Sequence, residues 1–296
     1  MVDRFRDALG PAPSPSEVFA TSHAKAFRAH GKIIGANCRA LGFNVDFAPV
    51  LDLAFEASRN VLKSRAVSAD PRETIAYARE FLAGLVEAKV LGCGKHFPGL
   101  GEGRLDSHEK LPVISKPFRD LWHEDLVPYR KLKRVLPFVM VSHAAYPAVT
   151  KAKTPASISK TWITDILRNR IAYKNLIVSD DLEMGGVLSA APIGEAAVEF
   201  VGAGGDLCLV CHREDYVLQA HEQITKAAER AKTFATRVAE SARKISAFKN
   251  RHAAFLRPGK PPSMAAIQKL TRALWEFSEQ VRLEPLSRRN DRRPRA

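Results

Sequence analysis

The feature that most constrains this chain is a rhythm of short apolar runs separated by longer amphipathic stretches. Phe43 to Leu53, Val90 to Phe97, Leu136 to Ser142, Leu176 to Asp180 and Asp206 to Cys211 each read as a buried strand. The clearest helix between them opens at Asp70-Pro71-Arg72-Glu73, which supplies an N-cap, a proline at the first helical position and a glutamate three residues after the cap. Ile75, Ala78, Leu82, Leu85 and Val86 form its apolar face. Strand, helix and strand repeated in this way predict an α/β fold with a parallel sheet covered on both faces, either a barrel or a doubly wound sheet.

Polar residues gather where these strands end: Asp52 after the first, Lys95 and His96 after the second, Ser142 and His143 after the third, Asp180 and Asp181 after the fourth. Barrel enzymes place their chemistry at this edge. No strand leads through G-x-G-x-x-G into a helix, which weakens a dinucleotide-binding reading. Gly99-Leu100-Gly101-Glu102-Gly103 leads instead into Asp106-Ser107-His108 and reads as an active-site loop. The 296 residues exceed the roughly 250 that one barrel needs. A single barrel domain over 1–282 is therefore expected, with helices after Cys211 and a basic, disordered tail over 283–296.

Lys and Arg total 46 against 32 Asp and Glu, a net charge of +14 that would favour polyanions if it were gathered on one face. The excess is spread over helices and the tail, and no aromatic residue interleaves the tail for base stacking. Nucleic acid is not expected as a partner. Cys38, Cys93, Cys208 and Cys211 are too few, and in too apolar a context, for a secreted disulfide framework. In a strand, Cys208 and Cys211 would point to opposite faces, which argues against a C-x-x-C metal or redox pair. With no signal-like start and no run of 18 apolar residues, a cytoplasmic protein that does not enter membranes is expected. A monomer is the simplest expectation.

Asp180 ends an apolar run, so the sheet edge would hold it rigidly, ionised if it faces a wet mouth. It could serve as a nucleophile, or merely cap the next helix. Asp106 lies two residues before His108, a spacing at which the carboxylate can accept a hydrogen bond from the imidazole and prepare it for acid and base work. A surface Asp–His pair is the plainer alternative. His143, standing alone, reads as a satisfied packing residue.

Gly94-Lys95-His96-Phe97-Pro98-Gly99, then Asp106-Ser107-His108 and Leu111-Pro112, resembles the hallmark loop of family 3 glycoside hydrolases of the bacterial single-domain β-N-acetylglucosaminidase branch, the one that recycles cell wall. Val178-Ser179-Asp180-Asp181-Leu182-Glu183-Met184 resembles that family's nucleophile segment. Asn44 to Asp52, Ser64-Arg65, Val141-Ser142-His143 and Pro155 to Ser159 add matches, and the resemblance spans residues 1 to about 215. It implies a (β/α)8 TIM-type barrel and retaining hydrolysis of terminal β-linked N-acetylglucosamine, with muropeptides of peptidoglycan recycling as the natural source. Asp180 would be the nucleophile and His108 the acid and base, with Asp106 orienting it. Arg65, Lys95 and His96 would hold the sugar hydroxyls. No metal and no cofactor is implied.

Related alternatives are a β-glucosidase or a phosphorylase, since a histidine acid tolerates an incoming phosphate. From another class, an inactive remnant that binds sugar or polyanion also fits the charge. Two departures from the family pattern stand out. The family's loop usually carries histidine where this chain has Leu100, which is expected to tune the site. Members also begin with two strands ending in an Asp-Gln-Glu-Gly-Gly segment, and Val2-Asp3-Arg4-Phe5 matches the residues immediately after that segment. A barrel without its first strands has open edges, so low stability and reduced activity are expected of such a chain.

Overall fold

A computed structural model describes residues 5–103, 105, 110–257 and 259–291. Five strands form one sheet in chain order: β1 (Val45–Asp46), β2 (Leu91–Phe97), β3 (Phe138–Val141), β4 (Leu176–Asp181) and β5 (Leu207–Leu209). All four pairings are parallel. Among the described residues this is a parallel half-barrel sheet with the winding of an α/β barrel, and helices follow β5. Among the described residues β1 has one strand neighbour, β2.

The strand expected over Phe43 to Leu53 contracts to two residues because Pro49 has no N–H to give a ladder. The backbone still tracks β2: Cys93 N–H donates to Ala48 O at 2.7 Å and Leu51 N–H to Lys95 O at 2.6 Å. The edge is therefore bonded but irregular.

Among the helices that frame the sheet and its mouth are α1 (Ala24–Ala40), α2 (Pro71–Glu87), α3 (Val127–Leu132), α4 (Ile193–Gly202), α5 (Glu214–Arg230), α6 (Lys232–Arg251) and α7 (Met264–Asp291). Asp70 caps α2 as the sequence suggests, accepting from Arg72 N–H at 2.7 Å. The expected capping box does not form. Glu73 accepts instead from Ser68 Oγ, whose oxygen also takes the Asp70 N–H. The buried face is rotated from the expected one. Tyr77, Ala78, Phe81, Leu82 and Leu85 are buried while Val86 is 46% exposed, because α1 crosses on that side. The crossing is close enough that a Cβ on Gly31 would sit 2.0 Å from Phe81 O, and one on Gly84 2.2 Å from Arg28 O. Either substitution would force the helices apart.

Alternation along the strands, interrupted in β2 by a register irregularity between Gly94 and Phe97, divides two cores. Phe97, Val139, Val141 and Ile177 face the outer helices and pack with Leu82, Tyr129, Trp162 and Phe200. Leu91, Cys93, Phe138, Met140, Leu176 and Val178 face the other way, against Phe248 and Ile245 of α6. A helix thus covers the lower part of the sheet face that carries Lys95 and Asp180. α6 is tied there by charge as well. Asp206, just before β5, pairs with Arg168, with Arg237 at 3.0 Å and with Lys244 at 3.0 Å, the last two from α6.

α7 packs on α1 with Leu274, Phe277 and Val281 buried. It continues to Asp291, across the boundary expected at residue 282, and residues 292–296 lie outside the described ones. The four cysteines are free, and Cys211 is exposed, not set in an apolar surrounding as expected. Among the described residues no helix is long and apolar enough to cross a membrane.

Candidate active site

Asp180 and Asp181 close β4, and the alternation that sorts the cores sorts them too. Asp180 shares the face of Leu176 and Val178, and Asp181 the opposite one. Asp180 is half-buried, with Oδ1 accepting from the Asp181 N–H at 3.0 Å. It caps no helix, since the next one begins at Gly185 with Met184 at its cap. Burial alone would push its carboxyl up. The neighbouring His96, His143 and Lys95, helped by the Asp181 N–H, outweigh that and hold it below the usual carboxylate range. An anionic oxygen held among cationic or polarisable groups, on a rigid strand end, is suited to nucleophilic attack.

His96, at the end of β2, is buried and donates its Nδ1–H to Asp52 Oδ2 at 2.7 Å. Asp52 is itself buried and also accepts the N–H of His96 and, at 2.8 Å, that of Leu100. One carboxylate thereby fixes both the ring and the first turn of the glycine-rich loop. Leu100 is 4% exposed, so at the position where the resemblance suggested a histidine the side chain belongs to the core.

Lys95 and Arg65 line a groove of about 640 Å³ along β1, together with Asp46, Val45, Phe43 and Tyr77. Burial raises the Asp46 carboxyl to about 6, opposed by the charge of Lys95. Arg65 is held by the carbonyls of Leu62 and Val61, the latter at 2.9 Å. These three side chains place two cations and one weak acid beside the sheet mouth.

His143 is fully buried, as a packing residue would be, and both ring nitrogens are bonded. The Asp181 carbonyl can only accept, so Nε2 carries the proton toward it at 2.8 Å, and Nδ1 accepts from Ser157 Oγ at 2.7 Å. Burial lowers its pKa, although Asp180 pulls the other way. It is also more than packing, because it supports the backbone of the residue after Asp180.

Asp106 and His108 lie outside the described residues. The described parts of their loop are pinned. Tyr146 donates to Gly99 O at 2.6 Å, and Gly103 N–H to Leu100 O at 2.8 Å. Gly99 has φ +138° and would place a Cβ 2.8 Å from that of Asp125. Lys116, on the returning arm, pairs with Asp125 at 2.8 Å and with Glu102 at 3.3 Å. Both arms are anchored on either side of the residues expected to do acid and base work. Asp52, Ser157, Lys116 and Asp125 were not recognised in the sequence as site residues. Only Asp52 carried a signal, as a carboxylate closing an apolar run.

The Glycosyl hydrolase family 3 N terminal domain matches residues 1–247. A Beta-hexosaminidase of Bordetella avium is 40% identical over 186 residues, which are 62% of this chain and 52% of that protein. One from Aromatoleum aromaticum is 39% identical over 222 residues, 72% of this chain and 62% of that protein. The structure of a glycoside hydrolase family 3 beta-N-acetylglucosaminidase from Paenibacillus sp. superposes with a TM-score of 0.86 at 30% identity, over 95% of this chain and 54% of the other. The chain therefore spans between 52% and 62% of the length of these relatives. With the sheet, the strand-end carboxylate and the family match in agreement, this chain belongs to glycosyl hydrolase family 3.

Proposed function

We propose that this chain provides the catalytic barrel of a retaining β-N-acetylhexosaminidase acting on saccharides with terminal β-linked N-acetylglucosamine. Asp180 attacks the anomeric carbon and forms a glycosyl-enzyme. His108, oriented by Asp106, protonates the leaving oxygen and later takes a proton from water. Arg65, Lys95 and His96 hold the sugar hydroxyls, with His96 itself fixed by Asp52. The observation that carries this reading is the ionised Asp180 carboxylate on the sheet face shared with Lys95, set among His96, His143 and Lys95. The names of the matched relatives support the substrate class. Muropeptides released during peptidoglycan turnover are the proposed natural substrates, met as a monomer in a reducing, cytoplasmic compartment to which four free thiols are suited.

The test is release of p-nitrophenol from its β-N-acetylglucosaminide and from its β-glucoside, with and without phosphate, by the chain and by Asp180→Asn and His108→Ala. Turnover of the N-acetyl compound that Asp180→Asn abolishes, and phosphate does not speed, is expected. Equal turnover by Asp180→Asn would overturn the assignment, and phosphate-dependent turnover would convert it to a phosphorylase.

A further inference from the structure

The loops after β4 and β5 meet on the side of the sheet that Asp180 does not face. There Asp181, Glu183 and His212 each bring one ligand atom within 4.8 Å of the others. His212 Nδ1 lies 3.2 Å from Asp181 Oδ2 and 3.9 Å from Glu183 Oε2. Neighbouring ligands on a four-coordinate ion with bonds of about 2.0–2.3 Å stand roughly 3.3–3.8 Å apart. The spacing already approaches that of an occupied site.

The orientation is fixed before any ligand arrives. Asp181 Oδ1 accepts the Glu183 N–H at 3.1 Å, and Glu183 Oε1 accepts the N–H groups of His212 and Arg213 at 2.6 and 3.0 Å. Each carboxylate thus commits one oxygen to the backbone and turns the other toward the imidazole. A simple ion pair with His212 would need no more than this. Cys211, however, precedes His212 in the chain and is free and exposed, adding a sulfur beside the group. One imidazole nitrogen, one sulfur and two carboxylate oxygens make a borderline-soft set that suits zinc-class ions better than magnesium or calcium. His212 is 69% exposed, so an ion can enter directly from solvent.

We propose that Asp181, Glu183 and His212, completed by Cys211, form a binding site for one divalent transition-metal ion of the zinc class, tying the end of β4 to the end of β5. On coordination the thiol gives its proton to solvent. The ion would clamp the residue whose N–H holds Asp180 Oδ1 and whose carbonyl holds His143. The catalytic carboxylate itself remains on the other face.

The experiment is equilibrium dialysis of the whole chain against Zn²⁺, with Mg²⁺ as the hard-cation comparison, then Co²⁺ substitution read by visible and near-ultraviolet absorption. One Zn²⁺ per chain is expected, bound at least about tenfold more weakly by His212→Ala and by Glu183→Gln and unchanged in His221→Ala. Co²⁺ should show a thiolate charge-transfer band that Cys211→Ser removes. Binding that His212→Ala and Glu183→Gln leave intact, or no stoichiometric binding at all, would overturn the site. A Co²⁺ spectrum without that band would remove Cys211 from it. Both readouts are independent of turnover, so failure here is distinguishable from failure of the proposed glycosidase reaction.

Discussion

Two carboxylates at opposite ends of the sheet, Asp180 and Asp206, are both held below the usual carboxylate range, and by different means. At the end where the strands begin, burial of Asp206 is overcome by direct ion pairs with Arg168, Arg237 and Lys244 and by the Ile177 N–H. Its oxygens are fully engaged and serve to join β4, β5 and α6. At the end where the strands finish, Asp180 is held ionised by charges at a distance, with a hydrogen bond from its neighbour's N–H. Direct pairing makes a carboxylate structural, whereas pairing through space leaves it free to react. This is the division expected between the lower and upper faces of an α/β barrel.

The comparison can be broken from either side. Asp180→Asn should lower kcat/KM by about 10⁴-fold or more while changing unfolding free energy by less than about 1 kcal/mol. Loss of stability in proportion to loss of activity would make Asp180 a structural residue after all. Asp206→Asn should show the reverse, destabilising the fold by about 3–5 kcal/mol in urea titration because it strands three cations, with kcat kept in the folded fraction. A smaller effect is expected of Gly99→Ala, roughly 1–3 kcal/mol, since it meets both a left-handed φ and the Asp125 side chain. If its kcat falls more than its stability, the loop is being positioned for chemistry and not merely folded.

The smallest effect concerns acid. Burial lowers the His30 pKa to about 3, below the ordinary value of 6.5, so between these values the unfolded chain binds the extra proton and stability falls as pH drops. The slope for one such group approaches about 1.4 kcal/mol per pH unit. Asp46 and Asp125, raised to about 6 by burial, act in the opposite sense over part of that range. The difference between the chain and His30→Gln isolates the histidine. It should grow steadily below pH 6.5, whereas the Asp206 contribution, present above about 4, is lost only as pH falls further. A difference that is flat with pH would mean His30 is not held neutral.

Much of this was legible in the sequence, because the decisive signals are local. Strands β2 to β5 coincide closely with apolar runs, and the opposed directions of Asp180 and Asp181 follow from period-two geometry alone. The missing legibility lies in contacts between distant segments. Nothing near Asp206 announces Arg168, Arg237 and Lys244, and nothing near His96 names Asp52 as its partner. The rotation of the α2 face, which exposes Val86, depends on where α1 crosses. Glu73 leaves the capping box because Ser68, outside the motif, competes for it. Sequence reading named Asp180, Lys95 and His96 at the strand ends but not the partners, such as Asp52 and Ser157, that hold the side chains around them.

The packing of α7 on α1 bears on the order in which the molecule can be made. His30 stacks on Phe277 with ring centroids 5.9 Å apart and bonds Tyr77 at 2.9 Å, joining residues from near both ends of the chain. During synthesis the sheet and its outer helices can collapse as soon as β5 emerges, but this layer must wait for α7. Until then the nascent chain carries an uncovered aromatic surface of Phe27, Phe81 and His30, the region a chaperone would be expected to shield. Closing so long a loop costs more chain entropy than the neighbour-to-neighbour pairings of the sheet.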